Sequence, residues 1–516
     1  MPRSGGVTSR SCSILTRFEV AGINRGANPS QRLAHSVSFN IRCVDRDAAV
    51  RRPRSALRAD AVALAGRLGS VNFAFALDDF DVMRHRPHPP GYPLYIAAGK
   101  LAHLAIANHA AALTLVSSLS GAAVASMFYL LDRRQNNWPV ALCATLIMAL
   151  SPLYWLQLTD MFAMVFVLAF LLVEGTSPAT SRGDLARRIA CGVIAGLALG
   201  ARPHIAFLIV IYWCIRAVSS RSVDATHVLT AAIAVLAGAV AWLIPASLAT
   251  GGMETYLHAT VGQFEWRFGR PGVSVLGSSM TGEYLLSRTA ALIGSLGQAF
   301  APMHLTESNL ARRVGIGLVV IALYAFFAWR SPSKTVARPY MLACAVSLLM
   351  LFILLPVRHL RYFLPLALIV GWSVFGYLAQ FERPLIRAAA LVPLFAVTVL
   401  PSLFLVGGLS KVPPPVAALD WVKANHPAAV LYSDQLRRHA DFYWPGGDSK
   451  AEPKGETGCG ELRKSLDAGR GVLATTPELC GMAGVKIASF KRDARIHDKH
   501  HRITIFEFGK RTGNPG

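Results

Sequence analysis

One short segment near position 85 concentrates the residues that could do chemistry. Three carboxylates, two imidazoles and two guanidinium groups fall within eleven residues, namely Asp78, Asp79, Asp81, Arg84, His85, Arg86 and His88. The histidines in such a loop could bind a phosphate or a divalent metal. Prolines from Pro87 to Pro93 restrict the backbone, so the loop loses less entropy when it is ordered, which suits a pre-shaped site. The alternative is a polar loop whose charges are solvated.

A helix predicted directly after this segment would hold it at a membrane surface. Leu94, Leu101 and Leu104 share one face of that helix, whereas Lys100 and His103 lie on another. This pattern is typical of a helix that lies in the membrane interface.

The composition predicts a polytopic membrane protein. Of 516 residues, 53% are hydrophobic and only 16% are charged, against roughly 25% charged in soluble proteins. Such a chain cannot cover itself with polar side chains in water, which excludes a single soluble globule. The net charge of +23 is explained by basic loops beside apolar helices, so we expect membrane lipids and no nucleic acid as partners.

Apolar segments recur from residue 111 onward, and they predict a mainly α membrane bundle of about 10–11 spans. We predict spans near 111–131, 138–156, 160–174, 188–200, 203–218, 227–249, 313–330, 339–356, 362–380 and 385–407. Residues 284–302 are also apolar but contain Arg288, so we predict an interfacial helix there. The alternative, a further span, would reverse the orientation of everything downstream.

The distribution of lysine and arginine between short loops predicts the orientation. Arginines and lysines concentrate in alternate loops, whereas the connections at 157–159 and 201–202 carry only Arg202. Because basic loops stay in the cytoplasm, residues 61–110, 251–312 and everything after 408 are predicted to lie outside it.

The two ends of the chain differ from the membrane region. We predict that residues 408–516 form a small extracytoplasmic α/β domain. In it, Cys459 and Cys480 either form a disulfide or remain two unpaired thiols. Residues 1–60 are rich in arginine and have no apolar run, so we predict a disordered or misassigned N-terminus there.

Residues His88 to Tyr95, which read His-Pro-Pro-Gly-Tyr-Pro-Leu-Tyr, resemble the end of the first outer loop in the GT-C superfamily of membrane glycosyltransferases. They are most similar to the branch related to protein O-mannosyltransferases. Three further segments agree in order: Ser151 to Trp155 followed by Thr159-Asp160-Met161, Gly200-Ala201-Arg202-Pro203, and Arg358 to Pro365. The resemblance covers residues 61–407, which we designate the GT-C-like region, with 61–110 as its first outer loop and 111–407 as its transmembrane domain.

The resemblance implies transfer of a sugar from a polyprenyl-phosphate carrier to an acceptor hydroxyl outside the cytoplasm. It implies catalytic carboxylates, for which Asp160, Asp79 and Asp81 are the candidates, because an ionised aspartate can accept the hydroxyl proton. The leaving phosphate needs preplaced cations. The candidates for the phosphate site are Arg202, Arg361, His85 and His88, and those for substrate contact are Tyr92 and Tyr362.

The implied enzyme is an integral protein of the bacterial inner membrane, and its acceptor is a protein, a lipid or a glycan. The sequence identifies no particular cofactor, and the side chains of 78–88 could hold a divalent metal. Two other classes remain open. One is a flippase or transporter for lipid-linked sugars, and the other is a catalytically degenerate relative.

Two features near residue 69 depart from the family. Relatives carry a membrane helix that ends in a catalytic aspartate, but residues 61–77 are too short and polar for a span, and Gly69 stands where the aspartate is expected. A misassigned start or wrong reading frame over residues 1–69 explains both departures. The upstream DNA is then expected to encode an apolar helix that ends in aspartate.

Overall fold

The computed structural model describes residues 11–14, 41–44, 68–151, 153–154, 160–175, 181–220, 224–270, 273–300, 310–330, 336–357, 359–378, 380–409, 411–492 and 502–509. The chain divides into two compact units, 1–60 and 61–516. In the first unit, β1 (Ser11–Ile14) and β2 (Ile41–Val44) pair antiparallel. The prediction of a disordered or misassigned N-terminus otherwise concerns residues outside those described.

Fourteen α-helices of the described residues begin before residue 400, and most of them coincide with apolar segments of the sequence. They are α1 (Leu68–Asp78), α2 (Pro93–His103), α3 (His109–Arg133), α4 (Trp138–Ala149), α5 (Met161–Glu174), α6 (Ser181–Ala201), α7 (Pro203–Ser220), α8 (Ala225–Ala249), α9 (Met253–Phe268), α10 (Gly282–Phe300), α11 (Leu310–Arg330), α12 (Ala337–Leu354), α13 (Leu366–Leu378) and α14 (Pro384–Leu409).

Local sequence explains where several of these helices begin. The side chains of Asn108, Asn137 and Asp224 accept hydrogen bonds from the first turns of α3, α4 and α8. Each therefore satisfies a backbone N–H that has no partner within its own helix. The helix predicted directly after the proline-rich segment is observed as α2, Pro93–His103, and its place in the membrane interface stays a prediction.

Among the described residues, α3, α8 and α12 are long and apolar enough to cross a membrane. Helices α4, α5, α7 and α13 are shorter apolar helices, as is α14 up to Leu400. The bundle core contains large buried side chains such as Phe128, Phe170, Tyr340 and Trp372. The predicted polytopic helical bundle is confirmed.

Helix α10 corresponds to the segment for which an interfacial helix was predicted because of Arg288. That guanidinium is buried and donates hydrogen bonds to the carbonyl oxygens of Phe352 at 2.7 Å and Leu355 at 2.6 Å. Its charge is therefore satisfied inside the protein. Helix α10 also packs tightly on α11, where a Cβ on Gly297 or Gly317 would overlap the backbone of the other helix. Arg288 is thus no argument against a span, and the interfacial placement stays a prediction.

The C-terminal part is a small α/β domain, as predicted. Helices α15 (Pro414–Asn425), α16 (Arg437–Tyr443) and α17 (Gly455–Asp467) accompany a five-stranded sheet in the order β4-β3-β5-β9-β8. The strands are β3 (Val430–Tyr432), β4 (Ser449–Lys450), β5 (Val472–Ala474), β8 (Val485–Lys491) and β9 (Arg502–Phe508), and a separate hairpin joins β6 (Glu478–Leu479) to β7 (Met482–Ala483). Strand β3 runs parallel to β4 and β5, whereas β9 runs antiparallel to β5 and β8.

Alternate residues of the central strands supply two separate cores. Leu431 and Leu473 join the cluster that includes α15 and α16, whereas Val430 and Val472 join the cluster that includes α17. Cys459 and Cys480 form a disulfide with a Cα–Cα distance of 5.7 Å, which decides the alternative that the sequence left open.

The C-terminal domain rests on the first loop of the membrane region. The ring of Phe442 in α16 packs edge-on against Phe75 of α1 at 5.2 Å and against His109 of α3 at 5.9 Å. Arg438 Nη2 donates to the carbonyl oxygen of Arg84 at 3.1 Å. The domain therefore covers the ends of α1 and α3.

Candidate active site

The acidic part of the first loop, residues 78–86, forms hydrogen bonds and ion pairs within itself. Asp81 and Arg86 exchange two backbone hydrogen bonds, which makes a tight hairpin. Arg84 pairs with Asp79 at 2.9 Å and with Asp81 at 2.5 Å, and Arg86 pairs with Asp79 at 3.2 Å. Partial burial raises the pKa of Asp81, but hydrogen bonds from Arg84 and Met83 outweigh it and hold the pKa below its usual value.

The proline-rich half of the loop is packed against α1. Tyr92 adopts a left-handed backbone conformation, with φ of 47°, directly before α2. The rings of Tyr92 and His88 both lie against Phe73, and His88 Nε2 lies 3.1 Å from the Tyr92 hydroxyl. Burial, followed by the charges of Arg202, Arg361 and Arg267, lowers the pKa of His88 to about 3. His88 is therefore neutral at physiological pH and can hydrogen-bond but adds no positive charge.

A cavity of about 620 Å³ lies beside this half of the loop. Most of its lining is apolar and comes from α6, α7, α9, α12 and the turn after α12: Leu199, Phe207, Phe264, Phe268, Met350, Leu351, Leu354 and Leu355. Polar groups join this lining: Tyr92, Arg202, His204, Thr260, Gln263, Arg267, Ser347, Arg361 and Tyr362. An apolar cavity with a few convergent polar groups is the usual form of a small-molecule site.

Arg202 reaches the cavity from the break between α6 and α7. Pro203 makes the break, because proline has no N–H to continue α6 but fits the first turn of α7. The Arg202 guanidinium forms an ion pair with Asp160 and lies over the Tyr92 ring, 4.5 Å from its centroid. Both charged residues are buried, with 6% and 1% of their surfaces exposed.

Asp160 lies behind Arg202 instead of lining the cavity. It occupies the position before α5, yet its side chain makes no capping hydrogen bond to that helix. Asp160 therefore does not cap α5. The carboxylate is used to hold the guanidinium.

Arg361 is carried by a 3₁₀ helix, Leu360–Phe363, that links α12 to α13. Its guanidinium lies over Tyr362, whose ring also packs edge-on against His204 at 5.0 Å. Arg361 Nε and His204 Nε2 are buried, and neither has a hydrogen-bond partner among the described residues. Buried polar atoms normally have partners, so these two atoms indicate a polar ligand.

The structure brings together part of the predicted site. One cavity is lined by Arg202, Arg361, Tyr92 and Tyr362. His88 does not line it but lies within hydrogen-bond distance of the Tyr92 hydroxyl. Asp79, Asp81 and His85 do not line it, and the two carboxylates are occupied by arginines of their own loop. Their catalytic and phosphate-binding roles stay predictions that this geometry does not support.

Sequence reasoning missed Arg267, His204 and Gln263. Arg267 and Gln263 lie on α9, where only a predicted outer location pointed to them. His204 follows the Arg202-Pro203 break directly, and that position was the available signal. Arg358 lies outside the described residues.

No protein-family profile matches the sequence, and no curated protein does. Several solved structures are similar, among them two of one protein. The crystal structure of ArnT from Cupriavidus metallidurans bound to undecaprenyl phosphate aligns with a TM-score of 0.53 at 14% identity, over 90% of this chain and 98% of that chain. The apo form of the same protein aligns with a TM-score of 0.50 at 13% identity, over 88% and 96%.

The chain has a GT-C-type fold. The fold that the His-Pro-Pro-Gly-Tyr-Pro segment implied is confirmed, and it covers nearly the whole chain. The narrower assignment to the branch related to protein O-mannosyltransferases stays a prediction.

Proposed function

We propose that this chain is a membrane glycosyltransferase that moves a sugar from a polyprenyl-phosphate carrier to an acceptor hydroxyl on the extracytoplasmic side. One observation supports this most directly. Arg202, Arg267 and Arg361 meet on one apolar cavity in a chain with a GT-C-type fold. One solved neighbour with that fold is ArnT bound to undecaprenyl phosphate.

The cavity combines an apolar surface with positively charged groups, and a lipid phosphate requires both. Its aromatic and aliphatic walls suit a prenyl chain, and its guanidinium groups suit the phosphate, because their planar forks match phosphate oxygens. The described residues place no carboxylate in ion-pair contact with Arg267 or Arg361. Both cations are thus available to the phosphate, which gains charge as the sugar leaves.

Asp160 acts in this proposal as a positioning residue. Its carboxylate fixes the Arg202 guanidinium in a buried setting, where an unpaired charge would be expensive. It supplies no base to the cavity in this arrangement. No carboxylate of the described residues lines the cavity, and Gly69 stands at the position where relatives carry aspartate.

The extracytoplasmic side is proposed from two features. The distribution of basic residues between the loops puts the first loop and the C-terminal domain outside, and Cys459–Cys480 is a disulfide, a bond that persists in oxidising compartments. With a bacterial inner membrane as its location, the protein would act on the outer leaflet.

A second candidate is a lipid-phosphate binding protein without transferase activity. It is favoured by the fact that Asp79, Asp81 and Asp160 are all paired with arginines and that Gly69 offers no proton acceptor. This candidate shares the phosphate site but predicts no turnover. A flippase would likewise bind the carrier and move it without transferring the sugar.

The test is binding and transfer by purified protein. We expect Arg267→Ala and Arg361→Ala each to weaken undecaprenyl phosphate binding about tenfold or more, since each removes a charge-assisted contact worth roughly 1.5–3 kcal/mol. Arg270→Ala is the matched control, because Arg270 is exposed and does not line the cavity.

Equal binding by all four proteins would contradict the phosphate site. Incubation with a polyprenyl-phosphate hexose and an acceptor mixture then separates the candidates. Release of free polyprenyl phosphate with a glycosylated product supports transfer, and binding without product supports the second candidate.

A further inference from the structure

Two histidines and an aspartate from three helices meet beside the first loop. Asp78 ends α1, His103 ends α2 and His109 begins α3. One ligand atom from each residue lies within 4.8 Å of the other two. None of the three lines the cavity. We propose that Asp78, His103 and His109 bind a divalent transition metal, and that zinc is the ion they fit best.

A backbone carbonyl holds one ring nitrogen of His103. The Nδ1 atom of His103 lies 2.9 Å from the carbonyl oxygen of Ile106. A carbonyl only accepts, so Nδ1 carries the hydrogen and Nε2 of the neutral ring keeps its lone pair. Histidines that bind metals commonly donate their second ring N–H to a carbonyl in this way. His103 can thus bind through Nε2 without further adjustment of its other nitrogen.

The other two proposed ligands, His109 and Asp78, lie close to each other and to His103. His109 Nε2 lies 2.8 Å from Asp78 Oδ1, and the His103 and His109 rings are 4.3 Å apart. Ligands on a tetrahedral zinc with bonds of about 2.1 Å are separated by roughly 3.4 Å. Small rotations of the Asp78 and His109 side chains would therefore admit the ion.

The surroundings leave room for water and fix the ligands. The Asp78 side chain is 62% exposed, which leaves a fourth position open to solvent. Asn108 caps α3 and so fixes His109 in the first turn. Imidazole and carboxylate donors together suit zinc, whereas calcium and magnesium prefer oxygen donors alone.

The role that follows is structural. A bound ion would tie the end of α1 to the end of α2 and the start of α3. It would thereby fix the two helices on either side of the loop that connects α1 to α2. Phe442 of the C-terminal domain packs on the His109 ring, so the same ion would stiffen the surface on which that domain rests.

The test uses the full-length protein in detergent, stripped with a chelator and kept non-reducing so that the disulfide stays intact. Zinc is titrated by calorimetry, and cobalt is used as a spectroscopic probe. We expect about one zinc per chain and the cobalt d–d absorption of a four-coordinate site. His103→Ala and His109→Ala should each weaken zinc binding at least about tenfold.

His258→Ala is the matched control, because His258 is exposed on α9 and outside the cluster. Asp78→Asn keeps a hydrogen-bonding side chain but removes the charge, and it should also weaken zinc binding. Circular dichroism and gel filtration of each variant test for intact folding. Absence of stoichiometric zinc binding to the parent protein would overturn the proposal, as would equal affinity in the folded His103 and His109 variants. No lipid or sugar is present, so the outcome is independent of glycosyl transfer.

Discussion

At the scale of residues, the important distinction is between charged side chains that form ion pairs within the protein and those that face the cavity without a carboxylate partner among the described residues. Arg84 and Arg86 pair with Asp79 and Asp81 within one hairpin, whereas Arg202 pairs with Asp160 and still lines the cavity. Coulomb attraction is much stronger away from water, so the buried Asp160–Arg202 pair is held more firmly than the partly exposed pairs of the loop. The ion pair thus fixes the position of the Arg202 guanidinium in the lining of the cavity.

The paired state of Asp160 and Arg202 predicts non-additive substitutions. Asp160→Asn should weaken undecaprenyl phosphate binding by about tenfold, because Arg202 loses its orientation, although Asp160 does not line the cavity. Arg202→Gln should cost a similar amount, and the double variant should cost little more, since residues that act as a unit do not add. A double-mutant cycle on the measured dissociation constants tests this. Additive losses would contradict the positioning role.

At the scale of elements, loop closure and helix ends decide where the chemistry lies. The break at Pro203, the 3₁₀ helix Leu360–Phe363 and the end of α9 each bring one arginine to the cavity. In the C-terminal domain, the disulfide joins α17 to the hairpin of β6 and β7, elements with few large apolar residues of their own.

Removing that disulfide should destabilise the C-terminal domain. It closes a segment with a sequence separation of 21, and a loop of this size is worth about 3 kcal/mol through restriction of the unfolded chain. We expect a double Cys459→Ser and Cys480→Ser variant to be cleaved after Lys423 at lower urea concentrations in pulse proteolysis. Cys214→Ser is the control, because Cys214 is an exposed free thiol. Identical urea midpoints for the two variants would contradict the expectation.

At the scale of the whole molecule, a GT-C-type fold surrounds a cavity whose walls come from the first loop and from five distant elements. Gly69 lies one helical turn before Phe73 in α1, so the two positions share a face of that helix. Phe73 contacts Tyr92 and lines a small pocket together with Arg202. By helical register, position 69 therefore lies on the same side of α1 as Phe73.

Restoring the carboxylate at position 69 should reveal whether the site can turn over. If the lack of a proton acceptor limits transfer, Gly69→Asp should raise the rate by about a hundredfold or more, the usual contribution of a general base. An aspartate in the first turn of α1 also suits the helix dipole. Ser70→Asp is the matched control, because its side chain would point about 100° around the helix. Equal rates in both variants would argue against a role for position 69.

The sequence by itself determined most of the apolar helices, the membrane character and the segment that borders the site, but not α1 or α9. Apolar runs and caps act locally, which is why α3, α8 and α12 match the predicted spans within a few residues. The His-Pro-Pro-Gly-Tyr-Pro segment led to Tyr92, and its resemblance to the GT-C superfamily led to Arg202 and Arg361.

Only the tertiary structure decided which charges are free. Asp79, Asp81 and Asp160 read alike in the sequence, yet all three are paired with arginines, and Arg267 and His204 enter the cavity without a sequence motif. The meeting of Asp78, His103 and His109 was equally invisible. The physical reason is that a helix is specified by neighbours three or four residues away, whereas an ion pair or a metal site depends on the packing of elements far apart in the chain.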